Sequence, residues 1–133
     1  MSVGLLIITH NTIGSALLET ATKMLGVCPL RAETIEITED MERDLLLRQA
    51  RAMAAELDTG DGVLVLTDLY GSTPANIASA LGGERVRVLA GINLPMLVRV
   101  LNYPGLGLCE LADKGLSGGR DGVLSAPDPG GER

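Results

Sequence analysis

His10 is the single histidine of this 133-residue chain, and it follows an apolar run directly. Residues 3–9 read Val-Gly-Leu-Leu-Ile-Ile-Thr, a composition typical of a strand that is buried on both faces. In open α/β sheets, reactive side chains gather at the carboxyl ends of strands, where loops form a crevice. A histidine ring with one unprotonated nitrogen in such a crevice can attack a phosphoryl group.

Asp68 occupies a matching position after a second apolar run, residues 62–67. If the two runs form neighbouring parallel strands, their ends bring Asp68 beside His10. A carboxylate on one ring nitrogen would fix the tautomer and stabilise the positively charged ring of a phosphohistidine. The alternative interpretation is that His10 only caps a helix and that Asp68 is a surface turn residue.

The turn after Asp68 has the residue types of a phosphate-binding site. Gly71 and Ser72 predict a turn, and Thr73-Pro74 predicts a helix N-cap followed by proline at the first helical position. Free backbone N–H groups at such a helix start, with the hydroxyls of Ser72 and Thr73, would bind phosphate. The same residues also make ordinary strand-to-helix turns. The segment lacks the Gly-Lys-Ser/Thr of a P-loop, which argues against nucleotide binding.

Apolar periodicity predicts the elements that position these residues. Strands are expected at 3–9, 31–38, 63–67, 85–90 and 121–126, and helices at 13–25, 42–57, 74–81, 95–101 and 106–116. This alternation predicts an α/β fold, a three-layer sandwich with a mainly parallel central sheet and helices on both faces. Gly118-Gly119 is expected to end the last helix, and residues 127–133 to form a disordered tail.

Composition excludes several classes of function. A net charge of −6 argues against nucleic-acid binding. The first apolar run is too short to span a bilayer and lacks a preceding basic segment, so no direct membrane insertion is expected. Cys28 and Cys109 are too few for a disulfide framework or a zinc site, and the acidic residues of segment 39–44 are attributed to a solvated helix start. We therefore expect a cytoplasmic protein with no metal and no cofactor.

Four segments occur in order across nearly the whole chain. They are 7–10 (Ile-Ile-Thr-His), 67–76 (Thr-Asp-Leu-Tyr-Gly-Ser-Thr-Pro-Ala-Asn), 90–97 (Ala-Gly-Ile-Asn-Leu-Pro-Met-Leu) and 119–123 (Gly-Arg-Asp-Gly-Val). Together they resemble the IIA domain of the mannose family of the bacterial phosphoenolpyruvate-dependent sugar phosphotransferase system. The resemblance implies one such domain over residues 1–126. The family often has Trp where Tyr70 stands and a second Gly where Ser72 stands, departures that affect the surface around the site.

The resemblance implies a phosphoryl carrier, which is a phosphotransferase. The histidine-containing protein HPr would phosphorylate His10, and His10 would pass the group to a IIB partner in a membrane-associated sugar-uptake complex. Asp68 matches the family's aspartate that hydrogen-bonds the active histidine, and Thr73 matches its hydroxyl residue beside the phosphoryl group. The family forms homodimers by exchanging a C-terminal strand. Residues 121–126 are the candidate for that strand, which is expected to pair antiparallel.

Three functional interpretations remain open. Because the chain ends at residue 133, we expect a stand-alone IIA protein without a fused IIB domain. It would serve sugar uptake, or it would act as a regulatory sensor of phosphorylation state without a sugar permease. The third interpretation is the related phosphocarrier subunit of dihydroxyacetone kinase, although segment 93–96 favours the mannose type. Sugar specificity stays open, because a IIA domain need not touch the sugar.

Overall fold

The computed structural model describes residues 2–127 and residue 129, which contain four strands and five helices. In chain order these are β1 (Gly4–His10), α1 (Ile13–Leu25), β2 (Ala32–Ile37), α2 (Arg43–Leu57), β3 (Val63–Thr67), α3 (Thr73–Ala80), β4 (Val86–Ala90), α4 (Leu94–Leu101) and α5 (Leu108–Asp121). The predicted alternation of strands and helices is confirmed as far as α5. No helix in this part of the chain is long and apolar enough to cross a membrane.

The strands form one parallel sheet in the order β2-β1-β3-β4. The chain moves outward from β1 to β2 and then returns to place β3 on the other side of β1. This reversal makes the carboxyl ends of β1 and β3 the topological switch point of the sheet, where open α/β proteins form their crevices. Ile8 pairs with Thr67 in the register, so His10 and Asp68 both lie at that point.

Helices cover both faces of the sheet, which confirms the three-layer α/β fold. Leu5 and Ile7 of β1 pack on one face with apolar residues of α1, α4 and α5. Leu6 and Ile8 pack on the other face with apolar residues of α2 and α3. The side chains of β1 therefore alternate between two aliphatic cores, and every residue of this strand before His10 is buried.

The prediction that Gly118-Gly119 ends the last helix is wrong, because α5 continues through both glycines to Asp121. A Cβ added at Gly118 would lie 2.6 Å from the Cβ of Arg99. A Cβ at Gly119 would lie 2.9 Å from the Cε of Met96. Both glycines are buried and let α5 approach α4 closely, so their small size serves packing and not chain reversal.

The strand predicted at 121–126 is not formed within this chain. Asp121 belongs to α5, and residues 123–127 pair with no strand of the described part of the chain. Val123 and Leu124 are 75% and 83% exposed, so the segment has no cover of its own. Exchange of this segment would require a second copy of the chain. Most of the tail predicted at 127–133 lies outside the described residues.

Candidate active site

His10 and Asp68 form a direct pair at the switch point. The ring Nδ1 of His10 lies 2.8 Å from Oδ2 of Asp68. The backbone N–H of His10 donates to the same oxygen at 3.0 Å, and the backbone N–H of Leu69 donates to Oδ1 at 3.0 Å. The His10 side chain is 41% exposed and that of Asp68 is 13% exposed. The carboxylate is thus held at both oxygens, while the ring it orients stays accessible.

Electrostatics favour the ionised form of Asp68. Burial raises the pKa of this carboxyl, but hydrogen bonds from the His10 ring, the His10 backbone and the Leu69 backbone outweigh it and lower the pKa below its ordinary value. An ionised Asp68 accepts hydrogen bonds only, so a His10 ring that carries a single proton donates it to Asp68 from Nδ1. The lone pair of Nε2 is then free to act as a nucleophile.

The turn from β1 into α1 fixes the backbone of His10. Asn11 has a positive φ of 47°, a left-handed conformation that asparagine tolerates better than most residues. Its N–H donates to the carbonyl of Ile37 at 2.9 Å, which ties the turn to β2. Gly14 allows α1 to lie close to β1, since a Cβ there would be 2.6 Å from the Cγ2 of Ile7. The chain reversal after His10 is therefore braced from two sides.

The start of α3 differs by one residue from the sequence prediction. The helix begins at Thr73 with Ser72 as its N-cap, so the prediction of Thr73 as N-cap is wrong. Although Ser72 occupies the N-cap position, its side chain makes no hydrogen bond to the helix. Its hydroxyl donates instead to the carbonyl of Leu69 at 2.5 Å. Gly71 has φ of 85° with open space around it, so the turn conformation itself requires glycine there.

A cleft of about 720 Å³ opens beside the histidine. Its walls come from the end of β1, the loop from β2 into α2, and the start of α3: His10, Asn11, Ile37, Thr38, Glu39, Asp40, Met41, Arg43 and Thr73. The structure thus brings His10 and Thr73 to one cleft, as predicted. Gly71 and Ser72 shape the preceding turn and are not among the residues that line it.

Sequence reasoning missed the wall formed by the loop from β2 into α2. The acidic composition of residues 39–44 predicts a solvated helix start, whereas the structure places Glu39, Asp40 and Arg43 in the lining of the cleft. The signal that could have found them is topological. Because β2 is the neighbour of β1 in the sheet, the loop that follows β2 leaves at the same edge as His10.

The third family-like segment has a structural role. Asn93 is the N-cap of α4, and its Oδ1 accepts from the N–H of Met96 at 2.9 Å. Its Nδ2 donates to the carbonyl of Gly119 in α5 at 3.1 Å. The Asn93 side chain therefore joins segments 90–97 and 119–123. This contact gives both segments a structural role, and neither segment lines the cleft.

No group of histidine, cysteine and acidic side chains in the described residues is arranged to hold a metal ion. Cys28 and Cys109 are both free thiols. Cys28 donates to the carbonyl of Leu30, and Cys109 accepts from Arg87 at 3.0 Å. Neither cysteine lines the cleft.

The fold and site define an α/β protein with an accessible, carboxylate-paired histidine at the switch point of its sheet. Residues 4–103 match the EIIA-man family, described as "PTS system fructose IIA component". The chain therefore belongs to this family of phosphotransferase-system IIA components, and the resemblance seen in the sequence is confirmed.

Related sequences agree with this assignment. The chain is 34% identical over 129 residues to the "PTS system mannose-specific EIIAB component" of Escherichia coli K12, a match covering 92% of this chain and 39% of that protein. It thus spans about two fifths of the length of that relative. It is also 33% identical over 113 residues to the "Transcriptional regulatory protein LevR" of Bacillus subtilis, covering 80% of this chain and 12% of LevR.

A solved structure shows the same fold over the whole domain. The mannose/sorbose-specific IIA subunit of the phosphotransferase system from Enterococcus faecalis superposes with a TM-score of 0.85 at 26% identity. The alignment covers 97% of this chain and 98% of that subunit.

Proposed function

We propose that this protein is a phosphoryl carrier of the sugar phosphotransferase system that accepts the group on His10 and passes it to a IIB partner. The observation that carries the proposal is the 2.8 Å contact between Nδ1 of His10 and Oδ2 of Asp68. That contact leaves Nε2 as the free nucleophile at the edge of the cleft. Family membership supports HPr as the donor.

The proposed step is an exchange of one phosphorus–nitrogen bond for another. The Nε2 lone pair attacks the phosphorus of a phosphohistidine on the donor, whose own P–N bond breaks and leaves its electron pair on the donor ring. The His10 ring becomes positively charged, and the Asp68 carboxylate compensates that charge through the Nδ1–H. In the second transfer an acceptor nucleophile attacks phosphorus, the P–Nε2 bond breaks, and His10 recovers its lone pair.

We further propose that Thr73 and the first turn of α3 receive the phosphoryl oxygens. Thr73 lines the cleft with His10, and the backbone N–H groups at a helix start attract anions. Gly71 and Ser72 take part through the turn that aims this helix start, since the Ser72 hydroxyl is engaged with Leu69. Sulfate or phosphate in crystals should bind next to His10 at the start of α3, and an empty site at high sulfate would count against this assignment.

A homodimer with exchanged C-terminal segments forms part of the proposal. Val123 and Leu124 are apolar, highly exposed and leave directly from the end of α5. A short extended segment gains little alone, and it becomes stable once it pairs with a sheet edge. Pairing with the sheet of a second copy, antiparallel to its neighbour, would cover both apolar side chains.

We place the relay in the cytoplasm, which the two free cysteines support. A second candidate function is regulation, in which the phosphorylation state of His10 is read by a partner and no permease is involved. The similarity to LevR, a transcriptional regulatory protein, favours keeping this candidate.

A two-stage labelling experiment tests the carrier function. The protein is incubated with labelled phosphoenolpyruvate, enzyme I and HPr, and the labelled protein is then isolated and mixed with a purified mannose-type IIB domain. We expect label on this chain that moves to the IIB domain. Label that accumulates but never leaves for IIB would favour the regulatory candidate, and absence of label would overturn both.

A further inference from the structure

Arg43 shares the cleft with His10, although it belongs to none of the four family-like segments. It is the first residue of α2, it is exposed, and it lines the cleft together with His10 and Thr73. Within the described part of the chain its guanidinium enters no ion pair and no hydrogen bond. Its five N–H donors are therefore available to a group that arrives on His10.

The charge balance of the cleft gives this cation a task. Glu39 and Asp40 line the same cleft, Asp68 lies behind the His10 ring, and the whole chain has a net charge of −6. A phosphoryl group brings close to two further negative charges at neutral pH. Arg43 is the one lysine or arginine among the described residues that line the cleft.

The position of Arg43 in its helix argues against a purely structural role. The start of a helix carries positive partial charge, so a cation in the first turn is unfavourable for the helix. Arg43 occupies the first position of α2, while the acidic Asp44 beside it is the favourable residue there. Helix stability therefore does not explain an arginine at this position, whereas an anion in the cleft does.

We propose that Arg43 binds the phosphoryl group carried by His10 and stabilises the phosphorylated form of this protein. The planar guanidinium can donate two parallel hydrogen bonds to phosphoryl oxygens, which makes arginine well suited to such a group. The inference rests on the proposed carrier function and adds a binding residue from the start of α2. Arg43 then sets how strongly this protein holds the group relative to its donor.

The test measures the equilibrium constant for phosphoryl transfer between HPr and this protein, for Arg43→Gln, Arg43→Lys and wild type. An equilibrium between the separated proteins does not depend on how well they dock, so a change in docking cannot imitate the effect. We expect Arg43→Gln to shift the equilibrium about tenfold toward phospho-HPr, because a shift of this size corresponds to the loss of one charge-assisted hydrogen bond to the phosphoryl group. Arg43→Lys should shift the equilibrium less than Arg43→Gln, because lysine keeps the positive charge.

Arg48→Gln is the matched control, because this substitution removes the same charge from the same helix. Arg48 is exposed and does not line the cleft. The equilibrium constant of Arg48→Gln should equal that of wild type. Thermal unfolding should show Arg43→Gln to be as stable as wild type or slightly more stable. An unchanged constant in Arg43→Gln, or an equal shift in both variants, overturns this inference alone. Failure of wild type to be labelled overturns the carrier function as well.

Discussion

At the scale of single residues, the proposed chemistry rests on how Asp68 is held. Three hydrogen bonds from two residues fix both carboxylate oxygens. In the proposed transfer, the carboxylate would therefore need no rearrangement when the His10 ring gains charge. The pairing was predictable, because both residues follow apolar runs that read as strands. Arg43 was not predictable, since an arginine among acidic residues at a helix start resembles any solvated surface.

Asp68→Asn should slow phosphoryl transfer to His10 while leaving the fold intact. The amide can still occupy the site, but it cannot compensate the positive charge of the phosphorylated ring. Groups that assist proton transfer contribute roughly 10²–10⁴-fold, and we expect the lower end because this carboxylate orients the ring and abstracts no proton. Rapid-quench kinetics with phospho-HPr measure the effect, with Asp61→Asn in an exposed turn as the control. A wild-type rate in Asp68→Asn would reduce Asp68 to a turn residue.

Asp68 should also contribute to the dependence of stability on pH. Its pKa is lower in the folded chain than in the unfolded chain, so its contribution is present above the unfolded value of about 3.9. The contribution is lost as the pH falls through the folded pKa. Urea unfolding of wild type and Asp68→Asn should therefore differ most at neutral pH and converge below about pH 4. A difference that stays constant down to pH 2 would show that the ionised carboxylate does not stabilise the fold.

At the scale of elements, apolar periodicity predicted which segments form strands and helices. It did not predict which of these elements lie next to each other. The run before His10 and the run before Asp68 were recognisable because strands buried on both faces are continuously apolar. The wall from residues 38–43 depends on β2 lying beside β1, and strand order is not encoded in periodicity. The prediction that Gly118 and Gly119 end α5 is wrong because glycine has two uses. It ends helices through its backbone, and it permits close packing through its missing side chain.

Gly118→Ala tests the packing interpretation of α5. Alanine favours helix by about 1 kcal/mol over glycine. The new Cβ would lie 2.6 Å from the Cβ of Arg99, and overpacking of this kind costs about 1–3 kcal/mol. We expect a net loss of about 1 kcal/mol in the free energy of unfolding, measured by chemical denaturation. Asp113→Ala, on the exposed face of the same helix, should change stability little. A stabilised Gly118→Ala would show that α4 and α5 are not held this closely.

At the scale of the whole molecule, two exposed apolar side chains, Val123 and Leu124, follow the end of α5. The sequence indicated that residues 121–126 would pair with something, and in the single chain residues 123–127 pair with no described strand. Apolar patterning in one sequence does not distinguish a strand that pairs within its own chain from a strand that pairs with the sheet of a second copy. The two apolar side chains after α5 are more than 70% exposed, and this exposure motivates the proposed exchange between two copies of the chain.

Removal of residues 123–133 should convert the proposed dimer to a monomer. Truncation after Gly122 keeps the whole of α5 and removes Val123 and Leu124. Sedimentation velocity should show dimers for the full chain and monomers for the truncated chain at the same concentration. His10 should still accept phosphate in the truncated chain, because the cleft residues are retained. A truncated chain that remains dimeric would rule out the exchanged segment as the main contact.

The most direct test of the account is to locate the phosphate on the protein after incubation with phosphoenolpyruvate, enzyme I and HPr. Phosphorus and nitrogen NMR distinguish phosphate on Nε2 from phosphate on Nδ1, and His10→Ala is the control. We expect one acid-labile phosphate, on Nε2 of His10, and none on His10→Ala. Phosphate on Nδ1, on another residue, or on the His10→Ala variant would contradict it.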